Sequence, residues 1–243
     1  MKSLIAFYNI LKKDITNYYL KPPNISWGII FPLSWTLMQL LRSVDSSILE
    51  LLPGLISTSV LFGTTSMLAV TITFERSGRS FERLLLAPIS LNTLMLAKIT
   101  GTILFGMFNA FVPIIFAGFF INLSDINWII VILAVFLIAV TSSLMGLLIA
   151  VSAQQVFEAQ TISNFFRFPM LFLCGLFIPI SSLPVFLKPL SYCLPLTYGA
   201  DILKGAITSN NSFSYTLCFV MLLIFTVGLF TVSKYAIEKK QNQ

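Results

Sequence analysis

The chain has 243 residues, of which 57% are apolar and only 10% charged, and its mean hydropathy is +0.92. A water-soluble domain of this length carries about a quarter charged residues, so the composition excludes a soluble enzyme, a nucleic-acid-binding module and a disordered chain. Lipid is the solvent it suits, and the formal charge of +6 comes from Lys and Arg lying between apolar runs.

Residues 1–20 are interrupted by Lys12, Lys13 and Asp14, so they lack the unbroken apolar core of a secretory leader. At helical spacing Leu4, Phe7, Tyr8, Leu11, Ile15, Tyr18 and Tyr19 share one side, and Lys2, Asn9, Lys12, Lys13 and Thr16 the other. That pattern fits a helix in the headgroup region with its lysines near anionic lipid; a helix packed on a soluble partner is the alternative. Six apolar stretches follow that can cross a bilayer: 25–41, 53–74, 100–121, 128–150, 162–180 and 213–232. Lys and Arg in short connections stay on the cytoplasmic side. An N-terminus inside places there all of the 15 except Arg42, Lys188 and Lys204, so both termini are expected in the cytoplasm.

Two connections are unusual. Residues 75–83 carry Glu75, Arg76, Arg79, Glu82 and Arg83 around Gly78 and Phe81, and Leu84, Leu85, Leu86, Ala87 and Pro88 follow. Ser80 suits an N-cap, Glu82 a first helical turn and Pro88 a stop, which predicts a short charged surface helix able to dock a cytoplasmic partner. Arginines kept inside without any partner are the plainer reading. Residues 179–207 are too apolar for a watery loop and too broken, by Pro179, Pro184, Pro189 and Pro195, for a span. Irregular backbone at membrane depth must be buried in protein or line a cavity, which predicts paired short helices dipping into the outer leaflet, or else a helix pair lying on the surface.

No chemistry of its own is legible. There is no His, and Cys174, Cys193 and Cys218 have no ligand spacing, so no catalytic residue, metal site or cofactor is expected. Asp14, Asp45, Asp125 and Asp201 lie outside the expected spans, and Lys98, Glu158 and Arg167 lie near span ends, where long side chains snorkel. A proton- or ion-coupled carrier keeps a titratable group near the midplane. No Gly-Lys dipeptide exists for a phosphate-binding loop. Asn109, Gln39 and Thr71 are candidates to face a transport path or to bond neighbouring helices, and Gly106/Ala110 and Gly146/Ala150 have the small-residue spacing of close helix contacts.

The segment ERSGRSFERLLLAPIS (75–90) resembles the cytoplasmic loop of ABC-2 type transporter permeases. MGLLIAVSAQQVFEAQTISNFFRFPMLFLCGLFIP (145–179) resembles that family's fourth and fifth helices, and SSLPVFLKPLSYCLPLTYGADILKGAI (181–207) its extracellular hairpin. The likeness covers essentially the whole chain. It implies an all-α polytopic membrane protein, a single transmembrane domain over 1–243. Its parts would be six transmembrane helices, an interfacial helix (1–20), a short cytoplasmic coupling helix (75–88) and an extracellular re-entrant helical hairpin (179–207). The resemblance further implies a non-enzymatic permease subunit of an ATP-driven exporter in a prokaryotic plasma membrane. It would pair with a second permease, as a homo- or heterodimer, and with two separate ATPase subunits that hold the ATP-Mg. Glu75, Arg76, Gly78, Arg79, Phe81, Glu82 and Arg83 would form the contact with the ATPase. A passive or gradient-driven transporter is the alternative.

Overall fold

The computed structural model of the protein describes residues 2–19, 30, 33–35, 37–38 and 48–241, and every regular element among them is helical. Helix α1 is Lys2–Asp14 and runs into a π-helical turn, Ile15–Tyr19. Then come α2 (Ile48–Ser77), the short α3 (Ser80–Leu85), α4 (Leu91–Gly118), α5 (Trp128–Ser152) and α6 (Val156–Leu173). A 3-10 turn, Ile180–Ser182, precedes α7 (Lys188–Tyr192), α8 (Pro195–Thr208) and α9 (Tyr215–Gln241).

Helix α2 is the axis of the bundle, buried almost all round from Leu52 to Ala69. Several of its hydroxyls are compatible with an apolar core because they fold back on their own helix: Ser57, Thr58, Ser59 and Thr64 donate to the carbonyls of Pro53, Gly54, Leu55 and Val60 at 2.7–2.8 Å, while Thr65 donates to the Ser142 carbonyl of a neighbouring helix. Glycines let its neighbours approach. A Cβ on Gly146 of α5 would lie 2.6 Å from the Thr65 carbonyl oxygen, and one on Gly106 of α4 would lie 2.2 Å from Thr64. The glycine of each small-residue pair is thus used inside the chain, against α2.

Four of these helices are long and apolar enough to cross a membrane: Ile48–Ser77, Leu91–Gly118, Trp128–Ser152 and Tyr215–Lys240. The chain is a multi-pass membrane protein. The expected first stretch, 25–41, with Gln39, lies largely outside the described residues. The stretch expected at 100–121 begins nine residues earlier, at Leu91, capped by Ser90, whose side chain accepts from the Thr93 amide. The stretch expected at 162–180 is instead α6, which stops at Leu173; Gly175 then turns with a φ of +79°.

Three side chains expected to snorkel do otherwise. Lys98 is 1% exposed and ion-paired, as described below. Arg167, fully buried in α6, donates to the carbonyls of Ser163 and Phe62 and to Asn164, and stacks 4.3 Å from the Phe62 ring. Glu158 reaches back to accept the Gln154 amide at 2.7 Å, an N-terminal cap for α6.

The bundle has two distinct ends. At one, Asp201 of α8 accepts the Ser212 and Phe213 amides ahead of α9, and the Asn127 amide ahead of α5 donates to Ala206. Helix α8 is buried there, with Gly199 seated against Ile138, and Lys204 donates to the Gly175 carbonyl. Helix α8, which lies in the stretch expected to form a hairpin, is thereby packed into the protein. At the other end the C-termini of α2, α5 and α9 meet the N-terminus of α4, α3 and the end of α1.

Candidate functional site

At that second end the chain leaves α2 through a tight turn and enters α3. Gly78 donates to the Phe74 carbonyl and Arg79 to the Arg76 carbonyl. Arg79, not Gly78, takes the left-handed conformation, at φ 53°, which costs a residue with a side chain roughly 1–2 kcal/mol. Arg79 is also the N-cap of α3, and it makes no side-chain cap bond. Ser80, expected to cap, instead donates to the Glu75 carbonyl at 3.1 Å and closes the end of α2. Arg83 folds back over the turn to the carbonyls of Arg79 and Gly78.

The seven residues of this charged stretch separate into two sets. Arg79, Glu82, Arg83 and Gly78 are exposed, as is Leu86 just beyond them. Glu75 and Phe81 are buried, and Arg76 is half-buried with its guanidinium 5.9 Å from the Phe81 ring. Phe81 packs with Ile72, Leu94, Ala150 and Ile237, which fixes α3 to α2, α4, α5 and α9.

Glu75 belongs to an ion cluster that joins three elements. Lys98 of α4 lies 2.8 Å from an Asp14 oxygen and 2.6 Å from Glu75, while Lys13 lies 2.5 Å from the other Glu75 oxygen. Two cations meet two carboxylates, so the cluster is neutral, as buried charge must be. Burial still dominates at Asp14: desolvation pushes its carboxyl from 3.8 to about 6, against the attraction of Lys98 and with the like charge of Glu75 adding to the rise. Gly101 lets this contact form, since a Cβ there would lie 2.7 Å from the Tyr19 hydroxyl and 3.1 Å from Leu11. Helix α1 is thereby bolted to α4 through Ile10, Asp14 and Tyr19, and it leaves Leu4, Ile5 and Tyr8 exposed.

Two further cations close the C-terminus of α5. Arg76 donates to the Ala153 carbonyl at 2.8 Å and Lys240 to that of Val151 at 2.9 Å, where helix ends carry unpaired acceptors and partial negative charge. Beside them lies a cleft of about 460 Å³ bounded by α3 and the ends of α5 and α9. No group of His, Cys, Asp and Glu side chains with metal-binding geometry occurs among the described residues.

Away from this end, Asn109 is enclosed against Gly63, with neither amide atom hydrogen-bonded, and Thr71 is enclosed with its hydroxyl unpartnered. Neither borders an open path in this conformation. Sequence reasoning missed Lys13, Asp14 and Lys98 as members of the site. The one available signal was Lys98, a single charge within an otherwise apolar run, with Asp14 as an acid of opposite sign in the amphipathic N-terminal segment.

The family model described as ABC-2 type transporter matches residues 5–208. The inner membrane transport permease YadH of Escherichia coli strain K12 is 26% identical over 189 residues, which make up 78% of this chain and 74% of that protein. The YadH proteins of Escherichia coli O157:H7 and Shigella flexneri are similar to the same degree.

Proposed function

The chain belongs to the ABC-2 type transporter family, and from that premise we propose that it is the membrane subunit of an ATP-driven exporter, worked by separate ATPase subunits that dock on the turn around α3. It is a transport permease subunit, and the finer reading rests on one observation. The exposed Arg79, Glu82 and Arg83 sit on a piece whose inner side is welded to the central helix α2 and to α1 and α4. A push on such a turn moves helices; a push on an ordinary loop bends the loop.

In this reading the α3 end faces the cytoplasm of a prokaryote, both termini lie on that side, and α1 rests its exposed Leu4, Ile5 and Tyr8 in the inner leaflet. A second permease, identical or not, completes the substrate path. The ATP-Mg is held by the ATPase subunits. The related Escherichia coli protein is by its name an inner membrane transport permease, in keeping with the plasma membrane.

The test is reconstitution with the ATPase subunit that co-purifies with the chain. The chain alone hydrolyses no ATP, its presence changes the ATPase rate of the partner, and charge reversal at Arg79 and Arg83 abolishes that change without affecting membrane insertion. Wild-type coupling in both variants, or labelling of position 79 from outside the cell, sinks the proposal.

A gradient-driven transporter is the second reading, and the buried Asp14–Lys98–Glu75 cluster favours it, because titratable groups inside a bundle are what proton coupling uses. The position of the cluster argues the other way. Glu75 is two residues from the end of α2 and Lys98 seven from the start of α4, so the charges lie within about 10 Å of one end and form no relay across. Flux driven by a pH gradient in liposomes lacking ATPase would decide for this second reading.

A further inference from the structure

The cleft beside α3 has a lining that ATPase docking leaves unexplained. One part is apolar, made by Leu85 and Leu86 of α3, Val151 of α5 and Ile237 of α9. The other carries Arg76 and Lys240, with the carboxylate of Glu82 in the lining and that of Glu158 near Lys240 outside it. Each cation donates to one carbonyl at the end of α5, and since ammonium has three donors and guanidinium five, both retain donors for an anion. We propose that this cleft binds an anionic phospholipid of the inner leaflet. The phosphate sits between Arg76 and Lys240, and the first carbons of an acyl chain lie on Leu85, Leu86 and Ile237.

Charge complementarity selects this occupant. Basic pockets between membrane helices at the cytoplasmic surface hold anionic headgroups. A soluble anion would satisfy the two cations and leave Leu86, which is 86% exposed, in water; an amphiphilic anion satisfies both parts of the lining. The cleft lies where α5 and α9 end, the level at which headgroups begin. A lipid seated there wedges α3 against α5 and α9, so the placement of the turn depends on the surrounding lipid. The choice of leaflet rests on the orientation proposed above, whereas the binding does not.

Native mass spectrometry of the purified full chain tests it, with dioleoyl phosphatidylglycerol or dioleoyl phosphatidylcholine as the probe. The wild type retains one phosphatidylglycerol in preference to phosphatidylcholine. At about fivefold per cation the preference is about 25-fold, and Arg76→Gln with Lys240→Gln removes it. Leu85→Trp, which keeps both charges and fills the slot, also lowers retention. Lys239→Gln, changing an exposed charge outside the cleft, leaves retention as in the wild type. Equal retention of the two lipids by the wild type overturns the proposal. So does an unchanged preference in the double variant, or a loss in Lys239→Gln as large as in the double variant. One-for-one release of phosphatidylglycerol on adding the ATPase overturns it in favour of a protein occupant. A chain that couples to no ATPase yet binds the lipid selectively would sink the exporter reading and leave this site standing.

Discussion

The charged stretch from Glu75 to Arg83 has an inner and an outer part, and they differ in nearly everything except sequence neighbourhood. Glu75 is fully buried, and its carboxylate is shared by Lys13 and Lys98. Arg79, four residues on, is exposed, and its side chain makes no cap bond. The inner part gains its interactions from other elements, Lys98 of α4 and, 62 residues away, Lys13 of α1, whereas the outer part bonds only within its own turn, through Arg83. In the proposed reading charge density marks the contact stretch, and burial separates the charges that hold it in place from those exposed to a partner.

The sharpest way to break this contrast is at Lys98. Lys98→Met leaves Asp14 and Glu75 buried with only the partly exposed Lys13 between them, and removing one partner from a buried ion cluster costs about 3–5 kcal/mol. Thermal unfolding in detergent should show the loss directly. Combining it with Asp14→Asn and Glu75→Gln removes the uncompensated charge and should return part of the stability, because a neutral amide costs far less to bury than an unpaired carboxylate. If Lys98→Met melts with the wild type, the cluster is not the anchor.

The second test is pH. Between 3.8 and about 6 the folded chain keeps on Asp14 a proton that the unfolded chain has released. Stability from this group therefore falls as pH rises through that window, and it is highest below it. The groups facing Asp14 are Lys98 of α4, Glu75 of α2 and Lys13 of its own helix. The difference in melting temperature between wild type and Asp14→Asn should move against the wild type from pH 4 to about 6.5 and then level off. A difference independent of pH would place the carboxyl in contact with water.

Much of this architecture is legible in the sequence, and the failures share a cause. The apolar stretches that became α2, α5 and α9 are recognisable because they hold no charge for some 20 residues. Helix α4 is foreshortened on paper because Lys98 reads as a boundary; its partners Asp14, 84 residues earlier, and Glu75 make a lysine acceptable within a helix. The same blindness applies to Arg167, accommodated by a carbonyl 105 residues away. Ser80 has the chemistry of an N-cap, yet the closure of α2 uses it first. The charged turn itself was visible as composition, but its division into anchor and contact surface depends on long-range packing and could not be read from spacing.

For the outer part the expected effect on stability is small and the effect on coupling large. Arg79→Glu changes an exposed side chain, so unfolding should shift by no more than about 0.5 kcal/mol, and Arg83→Glu, which also loses exposed bonds to the Arg79 and Gly78 carbonyls, by about 1 kcal/mol. Opposing like charges across an interface costs several kcal/mol, which is tenfold or more in ATPase association, measurable by co-purification or by titrating the ATPase onto the reconstituted chain. Loss of stability without loss of association would reverse the assignment of the two parts.

The smallest effect is the most specific. Arg79 holds a left-handed backbone at φ 53°, a strain of roughly 1–2 kcal/mol for a residue with a Cβ. Glycine adopts that conformation freely but brings about 0.4–1 kcal/mol of extra chain entropy to the unfolded state. Arg79→Gly should therefore stabilise the chain by about 0.5 kcal/mol or slightly more. Asn, which also tolerates this region, should gain a similar amount. Both variants lose the charge that the proposed contact uses, so they should melt slightly higher and couple worse. That opposed pair of changes is the signature of a strained residue kept for contact, and a variant that melts lower would show that the Arg79 side chain supports the fold after all.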